Sequence, residues 1–108
     1  MKKYLWVDDR RSAPEGYTLC KSTNEAVRFI KDHRDEIVLI DLDHDSGDYH
    51  CDGGDYINVL GALERLSFDD SDWAAFCYRV RFRLHSQNAV GLQNMRAILW
   101  HHGWQEVL

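Results

Sequence analysis

The chain has 108 residues, of which 44% are hydrophobic and 12% aromatic, and a formal net charge of −5. That length holds one domain with a modest core; the apolar content excludes a disordered chain, and the negative charge argues against a non-specific binder of nucleic acid, duplexes above all. No run approaches the ~20 apolar residues of a membrane helix, and Met1 to Asp9 lacks the apolar stretch and cleavage site of a signal peptide. Lys3 to Val7 reads as a buried strand ending in two acids, Asp8 and Asp9. Arg10 to Gly16, broken by Pro14 and Gly16, is too short for a helix. Tyr17 to Lys21 is a second strand. Ser22 and Glu25 have capping-box spacing, and Ala26, Phe29 and Ile30 recur at helical spacing, which predicts a helix over residues 23–33. Glu36 to Asp43 is a third strand whose apolar centre, Ile37 to Ile40, suits an internal parallel position.

A polar loop from His44 to Gly54 leads to an amphipathic helix over residues 54–66, and Ser67 to Trp73 is an acidic connection. Phe76, Tyr78, Val80, Phe82 and Leu84 alternate with Cys77, Arg79, Arg81 and Arg83, which predicts a fourth strand. Residues 89–102 form a helix stopped by Gly103, and Trp104 to Leu108 is a short last strand. Cys20, Cys51 and Cys77 have no CxxC spacing and read as free thiols, which places the protein in the cytoplasm.

The order β–β–α–β–α–β–α–β implies a wound parallel sheet. The helix expected after the first strand is missing and no helix follows the last. Those two would share one face. The expected architecture is therefore a two-layer α/β sandwich, one domain over residues 1–108, with one sheet face partly uncovered. The Arg79, Arg81, Arg83 stripe would lie in water on that face, with Tyr4 and Trp6 beside it, as a possible homodimer surface.

Ligands bind open parallel sheets beyond the carboxyl ends of the strands. Those ends carry Asp8 and Asp9, then Asp43, His44 and Asp45, then His85, Ser86, Gln87 and Asn88. Clustered carboxylates call for a hard divalent cation, Mg²⁺ or Mn²⁺, or for raised pKa values, and nearby histidines would also allow Zn²⁺. His85 could act as general acid or base. Ser86 and Asn88 could orient phosphate or simply cap the helix that follows. Asp41, inside the third strand, is expected to pair with an arginine of the fourth. His50 beside Cys51 has no second pair at zinc spacing, and His101 and His102 suit a helix C-terminus.

Taken in order, Leu5-Trp6-Val7-Asp8-Asp9-Arg10, Ala13-Pro14-Glu15-Gly16, Leu42-Asp43-His44-Asp45 with Gly47, Gly54-Asp55-Tyr56, His85-Ser86-Gln87-Asn88-Ala89-Val90-Gly91 and Asn94-Met95 resemble the cyclic-phosphate processing receiver domains. The resemblance implies a receiver-type, flavodoxin-like fold with a five-stranded parallel sheet in the order 2-1-3-4-5 and reduced helices on one face. It further implies a phosphoesterase acting on a cyclic phosphate or related nucleotide-like phosphate. The positions that match are Asp8, Asp9, Asp43 and Asp45 as acids for a metal, His85 as general acid or base with His44 assisting or ligating, and Ser86 and Asn88 for the phosphorylated ligand. Asp41 and Ser46 depart from the family pattern. Trp104 to Leu108 contains no lysine where a phospho-accepting receiver has one, so ordinary phosphoryl-aspartate signalling is not expected. The alternative function is a non-catalytic receiver-like binding or signalling module. The sequence leaves open whether Asp41 or Asp43 occupies the phospho-acceptor position.

Overall fold

In a computed structural model, which describes residues 1–108, five parallel strands form one sheet: β1 (Lys3–Val7), β2 (Tyr17–Cys20), β3 (Ile37–Leu42), β4 (Arg81–Leu84) and β5 (Gln105–Glu106). Their spatial order is β2-β1-β3-β4-β5, all pairs parallel. The helices are α1 (Thr23–His33), α2 (Ile57–Asp69), α3 (Ser71–Arg79) and α4 (Ala89–His102). None is long and apolar enough to cross a membrane.

The handedness of the crossovers explains the layering. The steps β2 to β3, β3 to β4 and β4 to β5 all run the same way across the sheet. Right-handed connections therefore put α1, α2, α3 and α4 on one face, where α2 packs against each of the other three. Only β1 to β2 runs the opposite way, and it carries a loop instead of a helix. The other face is bare. Side chains alternate accordingly: Leu5, Val7, Ile40, Leu42 and Phe82 are buried under the helices, while Tyr4, Leu39, Arg81 and Arg83 lie on the open face, with Arg81 and Arg83 exposed.

One expected element is wrong. The strand predicted from Phe76 onward is helix α3 up to Arg79, and only Arg81–Leu84 is strand. Asp70 caps α3 by accepting from the Asp72 N–H at 2.8 Å. Phe76, Cys77 and Val80 are buried while Tyr78 is 57% exposed, a helical rather than an alternating pattern. The acidic connection is likewise helical, since α2 runs to Asp69 and Ser71 to Trp73 begin α3. Arg79 consequently leaves the stripe, and its guanidinium donates to the Ile37 and Arg34 carbonyls. The other helix ends follow the sequence: Ser22 accepts from the Glu25 N–H, and Gly103, at φ 70°, ends α4. Cys20 and Cys77 are buried, their thiol pKa values pushed up to about 12, while Cys51 is exposed.

Candidate functional site

β1 is where the chain's winding reverses, so the sheet's switch point lies between β1 and β3. Backbone bonds fix the strand ends there: the Asp43 N–H donates to the Val7 carbonyl, the His85 N–H to Leu42, and the Asp8 N–H to Cys20. Three separate stretches of sequence are thereby brought to one edge.

Asp8 is the hub, with 1% of its surface exposed. One carboxylate oxygen accepts from the Arg10 and Arg11 N–H groups at 2.9 and 3.0 Å, an Asx-type turn that starts the β1–β2 loop. The other accepts from Arg11 Nη1 at 3.0 Å and His85 Nε2 at 2.9 Å. Burial on its own would raise the Asp8 pKa, but these four donors outweigh it and hold the carboxyl below its ordinary value.

His85 is gripped at both nitrogens, by Asp8 and, through Nδ1 at 2.5 Å, by Asp41. Ionised carboxylates only accept, so the ring donates twice and is an imidazolium. Burial disfavours that charge, but the hydrogen bonds from Asp41 and Asp8 and their charges prevail, raising the His85 pKa. Trp6 lies flat on the ring, with centroids 3.8 Å apart and planes 8° from parallel, and its indole N–H donates to the Arg11 carbonyl. The expected pairing of Asp41 with an arginine of β4 does not occur. Although Arg83 is its neighbour in register, Asp41 turns to His85, which can approach within hydrogen-bonding distance because it leaves the end of β4.

Asp8, Asp9 and Asp43 offer oxygens that all lie within 4.8 Å of one another. Asp43 sits opposite Asp8, accepts from the His44 N–H at 2.8 Å and faces Arg11 Nη1 at 3.3 Å. It is therefore Asp43 of the two that joins Asp8 and Asp9, and Asp41 that serves the histidine. Asp9 is nearly free of partners; Arg10, mostly in solvent, approaches it only to 3.9 Å. Gly47 makes room for Asp9: its φ is +54°, and a Cβ there would lie 2.1 Å from the Asp9 carboxylate. An open cavity of about 400 Å³ lined by Asp9, Arg10, Asp45, Gly47 and Asp48 lies beside this cluster.

Asp45 and His44 form a second group. Their side chains meet at 2.7 Å, and their ligand atoms cluster with Asp55 rather than with Asp8. Asp55 itself accepts from the N–H and hydroxyl of Ser46, which steadies the loop. Asn88 joins this group to α4: its oxygen caps the helix by accepting from the Gly91 N–H, and its nitrogen donates to Asp45 at 3.1 Å. Ser86 accepts from the Asn88 N–H. Both residues predicted to orient phosphate thus shape the turn that opens α4. His50 approaches Asp55 at 3.4 Å without sharing its cluster of ligand atoms, and Cys51 joins neither cluster.

The His44 ring lies on the backbone of α4 at Gly91, where a Cβ would fall 2.4 Å from the ring. Gly91→Ala is therefore expected to destabilise the fold by about 1–3 kcal/mol despite alanine's better helix propensity. Thermal unfolding would check it, and an unchanged midpoint would show that the ring is free to move aside.

Neither Arg11 nor Trp6 was expected at the site. Arg11 stands three residues after Asp8, but only the fold reveals that it also reaches Asp43. Trp6 looked like a surface aromatic of the open sheet face and is instead 9% exposed beneath His85 and Tyr17.

Searches of curated proteins and of solved structures found no match. The family model described as the cyclic-phosphate processing Receiver domain matches residues 3–101, which takes in every strand but β5 and every site residue described above, and the chain belongs to that family.

Proposed function

We propose that this receiver-like domain is a metal-dependent phosphoesterase acting on a cyclic phosphate or a related nucleotide-like phosphate. The observation that carries the reading is the convergence of the Asp8, Asp9 and Asp43 oxygens within 4.8 Å, with the imidazolium of His85 on Asp8. The family description supplies the cyclic-phosphate class.

The residues fit a hard cation. With Asp41, four carboxylates face the Arg11 guanidinium, the His85 imidazolium and, only at 3.9 Å, the largely solvated Arg10, which leaves excess negative charge. The three clustered oxygens suit Mg²⁺ or Mn²⁺, and no histidine nitrogen belongs to that cluster, which makes Zn²⁺ the poorer fit. A bound divalent ion would polarise a phosphoryl oxygen and make a bound water more acidic. His85 would donate a proton to the leaving oxygen, since it is the one acid at the edge held in its charged form. Asp41 and Trp6 fix the plane of its ring. His44, Asp45, Ser86 and Asn88 would border the ligand from the start of α4.

Calorimetric titration with Mg²⁺ and Mn²⁺, followed by assay on nucleoside cyclic phosphates, tests the reading, with Asp9→Asn as control because that change breaks no hydrogen bond. Saturable binding and hydrolysis, both weakened in the variant, are expected. No binding by the unaltered protein, or the same binding by both, would overturn the metal-dependent mechanism.

One observation favours a non-catalytic module instead: both nitrogens of His85 and both oxygens of Asp8 are already engaged. In that reading the bare face receives a second copy of the chain. Arg81→Glu would then shift the sedimentation of the protein while Asp9→Asn, away from that face, leaves it unchanged, and the enzyme reading expects no shift from either.

A further inference from the structure

We infer that Arg11 is the site's own cation, bridging Asp8 and Asp43 in the resting protein and becoming a phosphate ligand only once a divalent ion has taken its place. The inference rests on the metal reading above.

Arg11 Nη1 contacts oxygens of both carboxylates, at 3.0 Å from Asp8 and 3.3 Å from Asp43. Those two residues, with Asp9, are the ones whose oxygens cluster closely enough to share an ion. A guanidinium and a divalent ion would thus contend for the same negative charge. The arginine is not structurally trapped. Its side chain is 39% exposed, whereas Asp8 is fully covered and Asp43 nearly so. Its backbone N–H, which holds the Asp8 turn, is a separate contact that survives movement of the side chain. The head can therefore leave while the loop stays.

The chemistry of the vacated arginine follows from its geometry. A guanidinium presents a planar fork suited to phosphate oxygens. Once it is off Asp8 and Asp43 it remains tethered at the mouth of the acidic edge, next to Arg10 and the open cavity lined by Asp9, Arg10, Asp45, Gly47 and Asp48. No lysine stands at the end of the sheet to fill this role: the stretch from Trp104 to Leu108 has none. Arg11 supplies a cation from the opposite side, after β1 instead of β5. Metal and anion binding would then be ordered, because the same side chain blocks the first and enables the second.

The test separates these two steps with Mg²⁺ and inorganic phosphate as probes. Arg11→Gln should bind Mg²⁺ about tenfold tighter than the unaltered protein, since it removes a competing positive charge a few ångströms away. With Mg²⁺ saturating, the same variant should bind phosphate about tenfold more weakly. Arg11→Lys should fall between in the first measurement. In the unaltered protein the Arg11 Nε–H resonance, followed by NMR, should shift on adding Mg²⁺ and again on adding phosphate; this readout needs no variant to fold. Equal Mg²⁺ affinities together with an Arg11 signal that ignores the ion would overturn the inference and leave the metal site standing. Absence of Mg²⁺ binding in the protein and in Arg11→Gln alike would remove both.

Discussion

Asp8→Asn should lower the free energy of unfolding by about 3–5 kcal/mol, the usual cost of leaving buried charged partners uncompensated. The amide cannot replace the carboxylate. Both Asp8 oxygens accept, each from two donors, so the –NH₂ of asparagine meets two N–H groups whichever way it turns. Arg11 and His85 would each lose a counter-charge, and the Asx turn after β1 loses one anchor. Against a typical total of about 5–15 kcal/mol, the loss is a large share of the stability of a domain this size. Urea denaturation measures it. A midpoint within ~0.5 kcal/mol of the parent would mean that the donors find water as easily as they find Asp8.

The same network makes stability depend on pH in two directions. The folded pKa of Asp8 is lowered, so its contribution is complete above the unfolded value of about 3.9 and is lost as pH falls through the folded pKa. The folded pKa of His85 is raised, so its contribution is complete below the unfolded value of about 6.5 and is lost as pH rises through the folded pKa. Between those limits the urea midpoint should be highest, declining on both sides. Asp41→Asn should bring the alkaline decline to lower pH by removing one of the two carboxylates that hold the imidazolium.

His85→Ala should reduce turnover on a cyclic phosphate by about 10²–10⁴-fold, the range for a positioned acid or base. The ring is the one titratable donor at the edge that three strands position together: β4 delivers it, Asp8 after β1 orients Nε2, and Asp41 of β3 orients Nδ1. Truncation leaves the Asp9 and Asp43 carboxylates in place, so Mg²⁺ affinity should change far less than turnover. Steady-state kinetics beside a metal titration makes the comparison. A parallel fall in both would assign His85 to holding the acids together rather than to proton transfer.

Most of this architecture is written locally. The Ser22 cap, the Gly103 stop and the apolar Ile37 to Ile40 run each mark an element by its own chemistry, and the missing connection after β1 is visible as a loop too short to be a helix. The failure at Phe76 is instructive because the five residues from Phe76 to Val80 satisfied two periods at once. Phe76, Tyr78 and Val80 read as alternating, while Phe76, Cys77 and Val80 read as helical, and the Asp70 cap that decides between them lies within what looked like an acidic linker. At the site, strand ends were enough to gather Asp8, Asp9, Asp43 and His85. They were not enough to separate Asp45 and His44 into their own group, or to show that Asp41 serves the histidine. Those facts depend on which way side chains turn once the strands are aligned, as does the reach of Arg11 to Asp43, 32 residues away.

The single helical layer has a consequence for signalling. Trp6 belongs to the open sheet face and also to the site, its indole perpendicular to the Tyr17 ring and stacked flat on His85. No second layer of helices insulates the two. Any molecule that settles on that face and alters the position of Trp6 also alters the support of His85. By thermodynamic reciprocity, a ligand that reorganises His85 changes the affinity of the face for its occupant by the same factor. The face and the edge are then two ends of one lever, one indole ring thick.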